Sequence, residues 1–138
     1  MIFRDFQIVT GLQIEPEAFG EAKVAGKPQA GIGCDGAFAL NQSLRKLETG
    51  GKPWVAALNG TALGGCLEIA LACHARVAAD NDSITFGLPE VKVGLLPGGG
   101  GTQRMIRLVN PQDAVTMLLQ GKNQRPKKAK QLGFINEV

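Results

Sequence analysis

Two glutamates of this 138-residue sequence lie among apolar or small neighbours and are of the residue type that acid–base chemistry needs. Glu68 lies within residues 63–71, and Glu90 lies within residues 86–91. A carboxyl group on so apolar a helix faces the protein interior or a pocket, where loss of hydration raises its pKa. Because a raised pKa suits general acid–base catalysis, both residues are candidate catalytic residues. The alternative for Glu68 is an exposed helix face with the carboxylate in water.

A pair of glycines, Gly64 and Gly65, precedes Glu68 at the predicted start of a helix. A helix N-terminus exposes unpaired N–H groups and a partial positive charge, and glycine lets a ligand approach that backbone closely. Such a site suits a developing oxyanion, for example the enolate of a thioester. Because Gly65 lies three residues before Glu68, its N–H and the carboxyl group can address adjacent atoms of one substrate. The alternative is that both glycines only permit close helix packing.

Two segments of the chain resemble the signatures of the enoyl-CoA hydratase/isomerase, or crotonase, family. They are KPWVAALNGTALGGCLE at residues 52–68 and LPEVKVGLLPGGGGTQR at residues 88–104. The resemblance covers about residues 40–138. The stretches Ala72–Arg76 and Leu88–Glu90 look most like the hydratase part of multifunctional fatty-acid β-oxidation enzymes.

The resemblance implies a role for each residue of the predicted site. Glu68 and Glu90 match the two catalytic glutamates, which hold a water molecule for syn addition to a trans-2-enoyl-CoA thioester. Gly65 matches a donor of the oxyanion hole, and Cys34 is a distant match for the second donor. The remaining residues that the resemblance implies for substrate binding are Leu63, Gly64, Pro89 and Gly98. No metal and no cofactor is implied, because coenzyme A is part of the substrate.

Two carboxyl groups favour a hydratase, a lyase, over an isomerase, for which one acid suffices in many family members. The predicted function is therefore an enoyl-CoA hydratase of fatty-acid β-oxidation that acts on an acyl-CoA thioester. The alternative is a non-catalytic protein of the same fold that binds acyl-CoA weakly or acts as an oligomerising module. The family also implies a homo-oligomer, either a trimer or a dimer of trimers.

Short strands alternate with helices along the chain, which predicts the α/β class. The resemblance implies a crotonase-like spiral of β-β-α units that is incomplete at both ends. Residues 1–36 form an unplaced N-terminal segment, and residues 37–138 form the crotonase-like core. The predicted helices of that core run from 37 to the glycines at 50–51, at 66–73, 102–108 and 111–120, and from 126. The predicted strands are at 54–58, 76–79, 84–86 and 134–135.

The N-terminal segment contains a possible strand at residues 3–9 and a stretch at 25–36 that reads as a loop. Residues 31–36 match the G-x-G-x-x-G pattern, which in a dinucleotide site follows a buried strand and precedes an acid by about 20 residues. Pro28 interrupts the strand here, and Glu48 follows the last glycine of the pattern by only 12 residues. A Rossmann-type dehydrogenase domain therefore rests on this one pattern.

Composition excludes several other classes of protein. The net charge is +3, and the single Trp and absence of Tyr argue against a nucleic-acid surface built on aromatic stacking. No G-x-S-x-G pattern supports a serine hydrolase, and three cysteines without a C-x-x-C pair support no zinc site. Cys66 and Cys73 read as buried, reduced thiols, which predicts a cytoplasmic protein. His74 is interpreted as structural, and neither a signal peptide nor a membrane span is predicted.

Overall fold

The structure is a computed structural model that describes residues 7–10 and 32–138. Its elements, in chain order, are β1 (Gln7–Thr10), α1 (Ile32–Thr49), β2 (Trp54–Leu58), β3 (Ala62–Leu63), α2 (Gly65–Leu71), β4 (Ala75–Ala78), β5 (Phe86–Gly87), a one-turn 3₁₀ helix (Glu90–Val93), α3 (Gly101–Leu108), α4 (Pro111–Gln120) and α5 (Pro126–Leu132). Strands and helices alternate through the core, so the predicted α/β class is confirmed.

The larger of two small sheets has the strand order β1-β2-β4, and both pairs of strands are parallel. Its central strand, β2, is the apolar run that the sequence predicted at residues 54–58. The register aligns Ile8 with Val55, and Val55 with Ala75. Because parallel neighbours need a crossover connection, α2 links β2 to β4 and starts beyond the carboxyl end of β2.

The smaller sheet pairs β3 with β5 in parallel over two residues each. Its ladder continues past β3, where the Gly64 N–H donates to the Gly87 carbonyl oxygen at 3.0 Å. On the other side of β5, Phe86 exchanges two backbone hydrogen bonds with Gln124. This sheet therefore fastens the segment before Glu68 to the segment before Glu90.

The hydrophobic core draws on both predicted signatures and on the C-terminal part of the chain. Its largest fully buried apolar side chains are Phe86, Phe134, Leu67, Leu88, Met105 and Ile135. Burial of side chains of this size contributes about 1.5–3 kcal/mol each. Because α2, α3 and β5 all contribute to the same cluster, the elements that carry the predicted site have one shared support.

Helix α1 begins five residues earlier than predicted, so the interpretation of residues 32–36 as a loop is wrong. Gly33 and Gly36 of the G-x-G-x-x-G pattern lie within α1 rather than in a turn before it. Each glycine costs a helix about 1 kcal/mol relative to alanine, an amount that tertiary packing routinely overrides. Residues 32–36 therefore form a helix where a dinucleotide site needs a glycine-rich loop. The rest of the predicted loop, residues 25–31, lies outside the described residues, as do residues 3–6 of the predicted N-terminal strand.

The predicted closing strand at residues 134–135 is also wrong. Phe134 and Ile135 are buried, but the pairing near them is a single parallel bridge between Val77 and Glu137. Their apolar side chains mark burial in the core and not a strand. Helix α4 agrees with its predicted bounds and ends at Gly121, whose φ of 58° is typical of a glycine cap. Of the helices that the structure describes, none is both long and apolar enough to cross a lipid bilayer.

Candidate active site

Glu68 lies in the first turn of α2 and is only 3% exposed, so the alternative of an exposed helix face is wrong. Its Oε1 accepts a hydrogen bond from the Gly101 N–H at 2.7 Å. Gly101 is the first residue of α3, and an N–H in that position has no acceptor within its own helix. The start of one helix therefore fixes one oxygen of a buried carboxyl group on another helix.

The glycine pair before Glu68 forms the start of α2. Gly64 is the N-cap, with φ 55° and ψ −130°, a conformation that residues with a side chain rarely adopt. Its carbonyl oxygen accepts the Glu68 N–H at 3.0 Å. Gly65 is the first helical residue, so its N–H has no acceptor within α2. Gly65 therefore lies at a helix N-terminus, and its role as an oxyanion donor stays a prediction.

Glu90 begins the 3₁₀ helix and approaches the same backbone. A Cβ atom on Gly64 would lie 3.0 Å from Glu90 Oε1, so only a glycine leaves this approach open. The other oxygen, Oε2, is buried and has no hydrogen-bond partner among the described residues. Burial raises the pKa of Glu90, and the negative charge of Glu68 raises it further, against a lowering contribution from the residue's own backbone. The two predicted acids therefore lie close enough for their charges to interact.

The glycines at 98–101 form a loop around Glu68. A Cβ atom on Gly99 would lie 2.9 Å from Glu68 Oε2, and one on Gly101 would lie 2.9 Å from Oε1. Side chains at these two positions would collide with the carboxyl group. Gly98 differs, because it is exposed and a Cβ atom there would meet nothing within 4 Å. The loop thus encloses Glu68 and leaves open space at Gly98, where the sequence predicted a substrate contact.

The other predicted site residues lie next to this centre or stay predictions. Leu63 on β3 directly precedes the glycine pair, and Pro89 is the N-cap of the 3₁₀ helix. Both are partly buried. Cys34 lies in the first turn of α1, and its assignment as the second oxyanion donor stays a prediction. His74 Nδ1 accepts the Trp54 N–H at 3.1 Å, which agrees with the structural interpretation of this histidine.

The residues that hold the glycine loop were missed by sequence reasoning. Arg104 Nη1 donates to the Gly99 carbonyl oxygen at 2.7 Å, and its Nε donates to Glu48 at 2.6 Å. Asn41 Nδ2 donates to the Gly98 carbonyl oxygen at 2.6 Å. The only local signal for Arg104 is its place on a helix that also carries buried residues. Its partner Glu48 lies 56 positions away, so no local pattern links the two residues.

A cleft of about 710 Å³ lies between α1, α3 and the end of α2. Its polar and aromatic lining includes Phe38, Gln42, Arg45, Gln103 and Arg107. Neither Glu68 nor Glu90 lines it, so we place the candidate chemistry at the two buried acids and not in this cleft. Among residues 7–10 and 32–138, no group of three or more His, Cys, Asp or Glu is arranged to hold a metal ion.

Gly64→Ala is expected to lower the free energy of unfolding by about 1–3 kcal/mol, because a backbone at φ 55° and ψ −130° strains any residue with a Cβ atom. The added methyl group also presses on Glu90 Oε1. Urea denaturation of the purified variant measures the loss. Gly60→Ala is the matched control, since a Cβ atom there would meet nothing within 4 Å. Equal stability of the two variants would contradict a backbone requirement at Gly64.

Glu90→Gln is expected to melt at a higher temperature than the unmodified chain, by a margin that grows as pH increases from about 4 to about 8. The folded-state pKa of Glu90 lies above its ordinary value of 4.5, so ionisation of this carboxyl group opposes folding. Its contribution to stability is fully present below that ordinary value and is lost as pH rises through the folded-state pKa. Asp82→Asn, at an exposed residue, controls for the loss of one negative charge. A difference in melting temperature that stays constant with pH would contradict the raised pKa.

Known proteins share the sequence and fold of this chain. Residues 28–138 match the family described as Enoyl-CoA hydratase/isomerase. A fatty acid oxidation complex subunit alpha from Idiomarina loihiensis is 42% identical over 147 residues, which cover 95% of this chain and 21% of that protein. One from Shewanella oneidensis is 54% identical over 106 residues, covering 74% of this chain and 15% of that protein. The crystal structure of an enoyl-CoA hydratase from Bacillus anthracis is similar with a TM-score of 0.70 and 35% identity, over 75% of this chain and 39% of that one.

The chain thus spans about a fifth or less of the length of these curated relatives and about two-fifths of the solved hydratase chain. The structural similarity confirms the predicted crotonase-like fold. The family match covers both acids, the glycine pair at the start of α2 and the loop around Glu68. The chain belongs to the enoyl-CoA hydratase/isomerase family.

Proposed function

We propose that this chain catalyses the addition of water to trans-2-enoyl-CoA thioesters, the hydration step of fatty-acid β-oxidation. The observation that carries the proposal is the meeting of two buried or half-buried carboxyl groups, Glu68 and Glu90, beside one helix N-terminus. They come from different elements, yet the negative charge of Glu68 contributes to the raised pKa of Glu90. Two acids at one site suit a reaction that removes one proton and delivers another.

In the proposed reaction, the oxygen of water forms a bond to the β-carbon of the substrate, and a proton is added to the α-carbon. Gly101 occupies Oε1 of Glu68, which leaves Oε2 to accept the proton of the attacking water. The raised pKa of Glu90 favours its protonated form, which suits delivery of a proton to the α-carbon. Addition to the same face of the double bond requires both acids to lie on one side of the bound substrate, and this arrangement is part of the proposal.

The thioester oxygen gains negative charge as the β-carbon is attacked, and the proposed site offers a donor for it. The Gly65 N–H begins α2, where the helix dipole also favours negative charge. A fixed donor of this kind typically contributes about 2.7–4 kcal/mol to transition-state stabilisation. Gly98, Leu63 and Pro89 are proposed to contact the substrate, whose coenzyme A portion makes a separate cofactor unnecessary.

Self-association and location form part of the same proposal. Val93, Leu95 and Leu96 are 73%, 62% and 78% exposed, and they form an apolar stretch beside the site. Apolar exposure of this kind favours contact with another copy of the chain, in line with a trimer or dimer of trimers. We infer a cytoplasmic location from Cys73, a buried thiol outside any disulfide.

Hydration of crotonyl-CoA by the purified chain tests the proposed function. Turnover removes the conjugated double bond, so the absorbance of the enoyl thioester falls and a 3-hydroxyacyl-CoA product accumulates. The chain carrying both Glu68→Gln and Glu90→Gln is the control for uncatalysed hydration. Binding of the substrate without turnover would overturn the proposed activity and support a non-catalytic acyl-CoA-binding protein instead.

A further inference from the structure

Arg104 is a buried arginine that joins α1 to the loop around Glu68. Arg104 is 8% exposed, and its guanidinium makes two hydrogen bonds in different directions. Nε donates to Oε1 of Glu48 on α1 at 2.6 Å, and Nη1 donates to the Gly99 carbonyl oxygen at 2.7 Å. Two fixed donors on one planar group define an orientation that a single-point cation such as lysine does not reproduce.

A second contact from α1 reaches the neighbouring peptide. Asn41 Nδ2 on α1 donates to the Gly98 carbonyl oxygen at 2.6 Å. The next carbonyl group, that of Gly99, is held by Arg104 of α3, which is itself bonded to Glu48 of α1. Gly100 turns the chain directly after these two carbonyl groups with φ 90°, and a Cβ atom there would collide with the Arg104 guanidinium. The next N–H along the chain, that of Gly101, donates to Glu68. The held peptides and the donating peptide are therefore adjacent.

The ion pair between Glu48 and Arg104 persists at neutral pH. Burial raises the pKa of Glu48, but hydrogen bonds and charge from Arg104 and Arg45 outweigh that effect and hold the pKa below its ordinary value. Arg45 donates to the other oxygen of Glu48 at 2.8 Å from a side chain that is 67% exposed. Both arginines thus bind one carboxylate, but only the Arg104 contact continues to the glycine loop.

We infer that Arg104 is a positioning residue for the proposed reaction, acting through the loop to hold the Gly101 N–H against Glu68. The inference rests on the proposed function for its kinetic consequence and on the hydrogen bonds alone for its structural one. With Oε1 held, Oε2 keeps a constant direction toward the attacking water. Without the hydrogen bond from Arg104, the loop and the Glu68 carboxyl group can move together. Arg104 itself does not touch the reacting atoms.

Arg104→Lys is expected to lower the kcat of crotonyl-CoA hydration by about 10- to 100-fold, because small misplacement of a catalytic group has effects of this size. The KM should stay within about twofold, since Arg104 is not among the residues proposed to contact the substrate. Arg104→Met, which removes both donors and keeps the aliphatic stem, should lower kcat at least as much. If the methionine variant fails to fold, the lysine variant still decides.

Three comparisons separate positioning from a merely structural role. Arg45→Lys changes the other arginine on Glu48 and should leave kcat unchanged. In a chain that carries Glu68→Gln, adding Arg104→Lys should lower the residual activity little further, because both changes act through one carboxyl group. Hydrogen exchange at the Gly101 amide should become about 10-fold faster or more in Arg104→Lys and remain unchanged in Arg45→Lys.

The amide measurement needs no turnover, so it distinguishes failure of this inference from failure of the proposed function. If the unmodified chain does not hydrate crotonyl-CoA, the proposed function fails and exchange at Gly101 alone decides the role of Arg104. Unchanged exchange in Arg104→Lys would overturn the inference. So would a loss of activity in Arg104→Lys that multiplies fully with the loss in Glu68→Gln.

Discussion

Glu68→Gln and Glu90→Gln are each expected to lower the kcat of crotonyl-CoA hydration by about 10²-fold or more. An amide of nearly the same shape cannot accept or deliver the proton that a carboxyl group transfers. The fold should survive, because glutamine retains an oxygen that accepts the Gly101 N–H in place of Glu68 Oε1. Steady-state kinetics with circular dichroism on the same samples measures activity and folding together.

The double variant provides the stronger comparison. If Glu68 and Glu90 act in one transition state, the combined loss should be far smaller than the product of the two single losses. Asp82→Asn, an exposed acid outside the site, should leave turnover unchanged. A single variant that keeps near-normal kcat would remove that residue from the proposed mechanism, and two fully multiplicative losses would contradict their action as a unit.

Arg76→Met is expected to lower the free energy of unfolding by about 3 kcal/mol or more. Arg76 is 2% exposed, and its guanidinium donates to the carbonyl oxygens of Cys73 at 2.6 Å and Phe134 at 2.7 Å. Methionine fills a similar volume but leaves these acceptors buried without donors. The positive charge also lies at the C-terminal end of α2, where it stabilises the helix dipole. Urea denaturation followed by fluorescence of Trp54 measures the change.

Arg107→Met is the matched control for this loss, because it makes the same substitution at an exposed arginine. Surface changes of that kind usually alter stability by no more than about 0.5 kcal/mol. Burial lowers the pKa of Arg76, as expected for a cation removed from water, so the hydrogen bonds must offset a cost that Arg107 does not carry. If the free energy of unfolding of Arg76→Met lies within about 0.5 kcal/mol of that of the unmodified chain, the buried hydrogen bonds contribute little to stability.

Most helices were predictable because local patterns decide them. Pro111 at the first turn and Gly121 at the end give α4 its bounds, and the apolar run at 54–58 gives β2. The start of α1 and the two-residue β3 escaped prediction, because tertiary contacts outweigh weak local preferences there. Phe134 was misread as part of a strand, since apolar character alone does not distinguish a buried coil from a strand.

The candidate acids were predictable for a different reason. Glu68 stands out because a charged residue among apolar neighbours is rare unless it is paired or functional. The partners that hold it were not predictable from composition or periodicity. Gly101 lies 33 positions after Glu68, and Glu48 lies 56 positions before Arg104. Contacts over such separations are set by the way that α1, α2 and α3 pack, which the sequence pattern does not specify.

The distance between the two acids depends on the main chain of the smaller sheet, in which Gly64 donates to Gly87 and Ala62 donates to Thr85. Peptide groups are the same for every residue except proline, which lacks the donor. Exchange of one side chain for another therefore leaves this spacing in place. A change of chain length between Leu63 and Phe86, or a proline at one of the donor positions, breaks these main-chain hydrogen bonds and would separate the acids. Codon insertions and deletions in this interval are consequently the lesions to which the site is most vulnerable.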